Sequence, residues 1–237
     1  MVRSDRPVFG VVGGMGALAS AEFVKTIYEF SADRREQDSP IVMLSSDPTF
    51  PDRTEMLLRG ARDVLLDRLI DSLNQLRGLG ASKIVICCFT IHHLLPDLPP
   101  DLRESIISLV DVAYSALMHD AKRSLLVCSN GTRKLRIFEQ HGHWYEVAQL
   151  VALPQEDEQY AIHEFIYGIK RNRDPQEFVA FLETLLAKYR CDSLLAGCTE
   201  VHLLARYLAS GARRGYGCID PLTIIARQIA QETQPGA

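Results

Sequence analysis

One short pattern occurs twice in this chain of 237 residues, and each copy closes an apolar run. The first reads Cys88-Phe89-Thr90-Ile91-His92-His93-Leu94 and follows Lys83-Ile84-Val85-Ile86-Cys87. The second reads Cys198-Thr199-Glu200-Val201-His202-Leu203-Leu204 and follows Asp192-Ser193-Leu194-Leu195-Ala196-Gly197. In register, cysteine meets cysteine, Ile91 meets Val201, His92 meets His202 and Leu94 meets Leu204, at a spacing of 110 (198 less 88, 202 less 92). Each apolar run reads as a buried strand that turns into a helix. Two such corners predict a duplicated fold with one sulfur facing the other across a cleft.

The rest of the chain alternates strand and helix. Strands are expected at Val8 to Val12, Ile41 to Leu44, Lys83 to Cys87, Ser124 to Cys128, around Val147 to Leu153, Leu194 to Ala196 and near Tyr216 to Ile219. Helices are expected at Ala17 to Arg35, Leu57 to Gly78, Leu102 to His119, Asp157 to Lys170, Pro175 to Tyr189, from Thr199, and at Pro221 to Glu232. In the first helix, Leu18, Ala21, Val24, Ile27, Tyr28 and Ser31 share a face at helical spacing. Strands separated by helices argue for parallel sheets covered on both faces, with ligands beyond the carboxyl ends of the strands. The expected fold class is α/β: two similar subdomains, each a parallel sheet flanked by helices, related by pseudo-two-fold symmetry. The first subdomain is expected over 1–105 plus 208–237 and carries Cys88; the second, over 106–207, carries Cys198.

Composition excludes several classes. With 47% hydrophobic and 24% charged residues the chain has the balance of a globular protein. A formal net charge of −4 gives no electrostatic reason for nucleic-acid or polybasic membrane contact. No apolar run reaches transmembrane length. The start, Met1-Val2-Arg3-Ser4-Asp5-Arg6-Pro7, leads into a strand rather than a leader segment, so a cytoplasmic setting is expected. The cysteines at 87, 88, 128, 191, 198 and 218 lack the dense spacing of a disulfide framework and read as reduced thiols. Cys87, Cys88, His92 and His93 cluster, but there is no CxxC spacing and adjacent strand residues point to opposite faces, so no metal site is expected.

A thiol at a helix N-terminus feels the positive end of the backbone dipole, which lowers its pKa. Two opposed thiols, one ionised, can remove a proton from one face of a carbon and deliver one to the other. Thr90 and Thr199 beside them offer hydroxyls to a carboxylate whose charge grows in the transition state. His92 and His202 lie one helical turn further on, where they either tune the thiols or serve as helix-surface or subdomain contacts. Glu200 either polarises a ligand amine or simply suits the helix dipole.

Gly14-Met15-Gly16-Ala17-Leu18-Ala19 fits the dinucleotide pattern G-x-G-x-x-A, with Asp47 as the ribose-binding acid, yet the spacing to Asp47 is long and the cysteine repeat stays unexplained. A small anion held by backbone N–H groups at a helix N-terminus fits the glycines better. In Pro51-Asp52-Arg53-Thr54, Arg53 is placed to clamp a carboxylate. Gly131-Thr132 repeats the small-plus-hydroxyl character of an anion loop, and Lys170 opens a charge run that by default is solvated.

Taken in order, Gly13-Gly14-Met15-Gly16, Pro51-Asp52-Arg53-Thr54, Cys88-x-Thr90, Gly131-Thr132 and Gly197-Cys198-Thr199-Glu200 resemble the aspartate/glutamate racemase family, which works without pyridoxal phosphate. The resemblance spans nearly the whole chain. It implies two α/β subdomains with the active site between them, catalytic Cys88 and Cys198, no cofactor, a small-molecule carboxylate substrate and a homodimer. Substrate contacts would fall to Met15, Gly16, Arg53, Phe89, Thr90, Thr132, Leu135, Lys170, Thr199 and Glu200. Three positions depart from the family pattern: Phe89 stands for the usual asparagine, Leu135 for a second hydroxyl, and Ala17 for the usual proline. Phe89 and Leu135 make two ligand-facing positions apolar, which disfavours a second substrate charge.

The expected activity is therefore a two-cysteine racemase or epimerase acting on an aspartate- or glutamate-like amino acid or a less polar acid. The alternatives are an isomerase, cyclase or decarboxylase on a less polar metabolite, or an inactive ligand-binding homologue whose pocket Phe89 fills.

Overall fold

The computed structural model describes residues 6–33, 35–174, 176–211 and 216–233. The opening Met1 to Asp5 and the expected helix start at Pro175 lie outside them. Among the described residues, strands β1 (Val8–Gly13), β2 (Ile41–Ser46), β3 (Lys83–Ile86) and β4 (Ile106–Ile107) form one sheet in the order β2-β1-β3-β4. Strands β5 (Ser124–Cys128), β6 (Val151–Ala152), β7 (Ser193–Gly197) and β8 (Gly217–Ile219) form a second in the order β6-β5-β7-β8. All neighbours are parallel, so every strand must be reached by a crossover. The two orders superpose strand for strand, with β3 matching β7. The duplication expected from the cysteine corners is therefore real at the level of topology.

The helices between and after the strands are α1 (Ala17–Glu29), α2 (Arg53–Leu58), α3 (Arg62–Gly78), α4 (Pro100–Arg103), α5 (Leu109–Asp120), α6 (Asn130–Lys134), α7 (Trp144–Val147), α8 (Glu156–Lys170), α9 (Gln176–Tyr189), α10 (Glu200–Ser210) and α11 (Pro221–Glu232). Alternation along the strands sorts side chains into separate cores. Ile84 and Ile86 face an outer core with Leu65, Leu69 and Leu73 of α3. Leu125 and Val127 face another, with Ile162 and Ile166 of α8 and Phe178 and Leu182 of α9. Val85 and Cys87 of the first half and Leu126 and Leu195 of the second enter one central core. That core is filled by Phe23 and Ile27 of α1, Tyr114 and Leu117 of α5, and Ile225 and Ile229 of α11. The two halves thus share three helices rather than merely touching.

This sharing corrects the expected division of the chain. Strand β4, at Ile106–Ile107, pairs with β3, so the first sheet runs past residue 105. Strand β8 pairs with β7, so part of the tail after 208 belongs to the second sheet. Among the described residues of that tail, α11 returns toward the first half, packing against α1.

Several expected helices are interrupted, each for a local reason. The first ends at Glu29 rather than Arg35, because the next N–H groups, of Ser31 and Ala32, bond only three residues back and tighten into a turn. Its buried face is Ala19, Ser20, Phe23, Thr26 and Ile27, while Leu18 and Tyr28 are exposed. The Leu57–Gly78 stretch breaks at Gly60, whose φ of +78 is left-handed, and Ala61 N–H then bonds Met56 C=O at 2.9 Å. The Leu102–His119 stretch splits into α4, β4 and α5. Ser105 C=O accepts from Ile84 N–H, and Ser108 caps α5 by accepting from Asp111 N–H. Before β6, helical turns occupy most of the stretch expected to be strand. After Cys88 the chain forms a 3-10 helix, Thr90–Asp97, that contains Pro96.

Candidate active site

The cysteine corners end at equivalent places. Side-chain alternation sends Cys87 into the central core and Cys88 to the other face, where it borders a recess. At the second corner, Gly197 allows close packing, since a Cβ there would lie 2.7 Å from Cys128 Cβ. Cys198 then reaches the same recess as Cys88. The two corners are tied directly, as the Thr199 hydroxyl donates to the Cys87 carbonyl at 3.3 Å. The recess is narrow: as the side chains stand, it holds roughly one water molecule, so a guest of amino-acid size needs the lining to part.

On the Cys88 side stands Arg53, the first residue of α2. Its Nη1 donates to Phe50 C=O at 3.3 Å and Pro51 C=O at 2.9 Å, and its Nη2 to Met15 C=O at 2.7 Å. Arg53 is therefore a braced positive charge beside Cys88, with its buried Nε left without a hydrogen-bond partner. Burial works against that charge, but the Cys88 sulfur and the Asp52 carboxylate outweigh it and hold the guanidinium protonated. Asp52 caps α2 by accepting from Glu55 N–H, and also accepts from Tyr167 Oη at 2.5 Å. Burial pushes the Tyr167 phenol up to about 12.

The Cys198 side has the opposite character. Its Sγ donates to Glu200 Oε2 at 2.8 Å. The expected lowering of both thiols by helix dipoles fails for Cys198. Burial and then the Glu200 charge push this thiol well up, against the smaller pull of Lys170. Lys170 Nζ lies 4.0 Å from Glu200 Oε1 and 4.5 Å from the Tyr167 ring centre. Burial favours its neutral form, yet Glu200 and Cys198 keep it charged. Lys170 is thus drawn into the site and is not a solvated residue.

Between the two sides lies a hydroxyl cluster. Thr90 Oγ1 is 3.1 Å from both Ser129 Oγ and Thr132 Oγ1. Thr132 stands behind Thr90 and does not itself line the recess. Gly131 brings this loop against α2, where a Cβ would lie 2.5 Å from Thr54 Oγ1.

Besides Thr132, three expected contacts do not line the recess: Gly16, Phe89 and Leu135. Phe89 is buried in the central core, stacked between His92 and Phe138 at ring distances of 6.1 and 5.9 Å. Leu135 packs at the seam of the central core and the first outer core. Neither makes the pocket apolar. Four lining residues went unassigned in the sequence: Asp52, Thr54, Ser129 and Tyr167. Signals for them existed, since Asp52 and Thr54 flank Arg53, Ser129 opens the Gly131-Thr132 loop, and Tyr167 lies three residues from Lys170 on one helix face.

The repeated histidines are structural and differ from each other. His92 Nε2 accepts from Leu109 N–H at 3.1 Å, so Nδ1 carries the hydrogen and donates to Cys88 C=O at 2.8 Å. Burial pulls its pKa down to about 4. His202, fully buried, joins Thr26 of α1 to Asp220 at the cap of α11, at 3.1 and 2.6 Å. Subdomain contact is its role.

The glycine loop is filled by the chain itself. Gly14 has a φ of +86, and a Cβ there would lie 2.2 Å from the Asp47 carbonyl carbon. Asp47, the acid a dinucleotide site would require, is engaged by Thr49 and Arg68. Among the described residues, no group of three or more His, Cys, Asp or Glu is placed to hold a metal, and no helix is long and apolar enough to cross a membrane.

The duplicated parallel sheets and the paired cysteine corners define a two-half α/β architecture. The profile of the Asp/Glu/Hydantoin racemase family matches residues 12–229, and the chain belongs to that family of racemases. It is similar to the structure of Picrophilus torridus aspartate racemase, with a TM-score of 0.80 and 21% identity over 96% of this chain and 94% of that one. Francisella tularensis glutamate racemase in complex with D-glutamate aligns with a TM-score of 0.62 and 16% identity, over 96% of this chain and 79% of that one. Klebsiella pneumoniae allantoin racemase aligns at 0.54 and 17%, over 95% and 86%.

Proposed function

We propose that the chain is a cofactor-independent racemase or epimerase acting at the α-carbon of an amino acid or related small acid, with Cys88 and Cys198 as the paired proton-transfer groups. The observation that carries this reading is that both sulfurs, from equivalent corners of two like sheets, border one recess. One sulfur takes the α-hydrogen while the other delivers a hydrogen to the opposite face, so the configuration inverts. Charge growing on the substrate carboxylate meets Arg53, Lys170 and the hydroxyl of Thr90, all at the recess.

The similar structures carry the names of aspartate, glutamate and allantoin racemases, which supply the first substrates to try. Phe89 and Leu135 were the reason to prefer a less polar metabolite or an inactive homologue; both side chains turn away, and a dicarboxylic amino acid regains first place. The same reading takes the chain as a cytoplasmic homodimer that acts on a free carboxylate without pyridoxal phosphate.

The test is α-hydrogen exchange in deuterated buffer, followed by NMR over a panel of L- and D-amino acids, with allantoin included. Exchange with inversion is expected for at least one compound, and Cys88→Ser and Cys198→Ser should each abolish it in a folded protein. Silence across the panel, or full activity in either variant, refutes the reading.

A further inference from the structure

The two sulfurs sit in opposite electrostatic company. A cation stands beside Cys88, whereas Cys198 donates a hydrogen bond to a carboxylate, Glu200 Oε2, at 2.8 Å. Glu200 is 1% exposed, and its second oxygen, Oε1, has no hydrogen-bond partner. Lys170 Nζ, at 4.0 Å from that oxygen, is too distant to bond it. A first-turn acidic residue satisfies a helix dipole equally well from the surface, and burying an unpaired carboxylate oxygen is costly. Capping α10 therefore does not explain this placement.

The chain also clears room for the carboxylate. A Cβ at Gly16 would lie 2.1 Å from Glu200 Oε1. Gly16 has a φ of 175, extended backbone that any residue adopts, so space for Oε1 is what the missing side chain provides. Cys198, buried and next to a negative charge, stays protonated and needs a base before it can act as one.

We propose that Glu200 is the proton acceptor of Cys198, making this side of the site a thiol–carboxylate dyad rather than a lone cysteine; the proposal rests on the two-cysteine reading above. Oε2 takes the Sγ hydrogen and the S–H electron pair stays on sulfur. The thiolate then takes the α-hydrogen, the C–H pair moves into the substrate carboxylate, and the Cys88 S–H delivers its hydrogen to the opposite face of the carbon. A Cys88 thiolate and a neutral Glu200 remain, total charge is unchanged, and exchange through water carries the proton from Glu200 back to Cys88. For the other enantiomer Cys88, beside Arg53, is the base and Cys198 the acid, and Glu200 only accepts a hydrogen bond.

The experiment compares Glu200→Gln, Gly16→Ala and Cys198→Ser with the unaltered protein. It reads racemase kcat and the pH profile of Cys198 alkylation by iodoacetamide, resolved by mass spectrometry. Glutamine keeps the shape of Glu200 and removes the charge. Its kcat is expected to fall roughly 100-fold. Alkylation of Cys198 near pH 7 is expected to rise roughly tenfold, because a like charge has left the sulfur. A merely structural Glu200 would not separate the two readouts. Gly16→Ala displaces the carboxylate without changing any charge, and its kcat is expected to fall even if Glu200→Gln does not fold. Should Cys198→Ser be inactive while Glu200→Gln or Gly16→Ala turns over within twofold of the unaltered protein, the dyad is overturned and the two-cysteine reading stands. An unchanged alkylation profile in Glu200→Gln overturns it as well. A fully active Cys198→Ser overturns the underlying reading instead.

Discussion

Replacing His92 with leucine tests how the Cys88 corner is held. Leucine has a comparable volume, so the main loss is the pairing of two backbone groups, Leu109 N–H at 3.1 Å and Cys88 C=O at 2.8 Å. Each buried group left unpaired costs about 1–3 kcal/mol, so the variant should lose roughly 2–6 kcal/mol of stability at neutral pH. Part of that deficit depends on pH. Burial holds the imidazole near 4, against an ordinary 6.5, so between those values the unfolded chain binds a proton that the folded chain does not. The contribution of His92 is complete above pH 6.5 and is lost as pH falls through 4. The full span is about 3 kcal/mol, of which about 2 kcal/mol is gone by pH 5. Urea unfolding of both proteins near pH 7.5 and pH 5 measures this directly. The deficit of the leucine variant should shrink by about 2 kcal/mol in the acidic buffer, because leucine does not titrate. A deficit that is equal at both pH values, or below about 1 kcal/mol near pH 7.5, refutes the reasoning.

Asp220→Asn removes the charge from a fully buried pair and should destabilise the fold by about 3–5 kcal/mol, read by thermal unfolding. Burial raises this carboxyl, but His202, Thr223 and Leu222 N–H more than offset it and hold it below the ordinary 3.8. Its contribution is present above that value and lost in stronger acid, so the two melting curves should converge as pH falls below it. Tyr167→Phe removes the 2.5 Å bond to Asp52 and loosens the mouth of the recess. Steady-state kinetics should show KM raised about tenfold, with kcat changed less.

The sequence repeat announced the topology because core-facing strand residues and a thiol corner recur only where the backbone path recurs. What escaped was set by directions that spacing does not encode. Phe89 and Cys88 are neighbours, yet one enters the core and the other the recess. Spacing offers the matched histidines the same two roles, although His92 serves the backbone of Cys88 and Leu109 and His202 reaches α1 and α11. Ile106–Ile107 hid inside an apolar stretch with helical period, since two β-branched residues are too few to register as a strand. Charge pattern alone makes Lys170 the head of a solvated run; the family resemblance puts it in the site, and its packing on Tyr167 near Glu200 is the physical reason it is there.

The helices that fill the centre of the molecule also decide how a guest gets in. Swinging the sheets apart would wet the surface packed around Phe23, Tyr114 and Ile225. Even about 300 Å² of that surface would cost about 7 kcal/mol. Turning a side chain at the mouth costs only about 0.5–1.5 kcal/mol. Admission therefore falls to outer side chains such as Lys170, whose side chain keeps 21% of its surface in solvent.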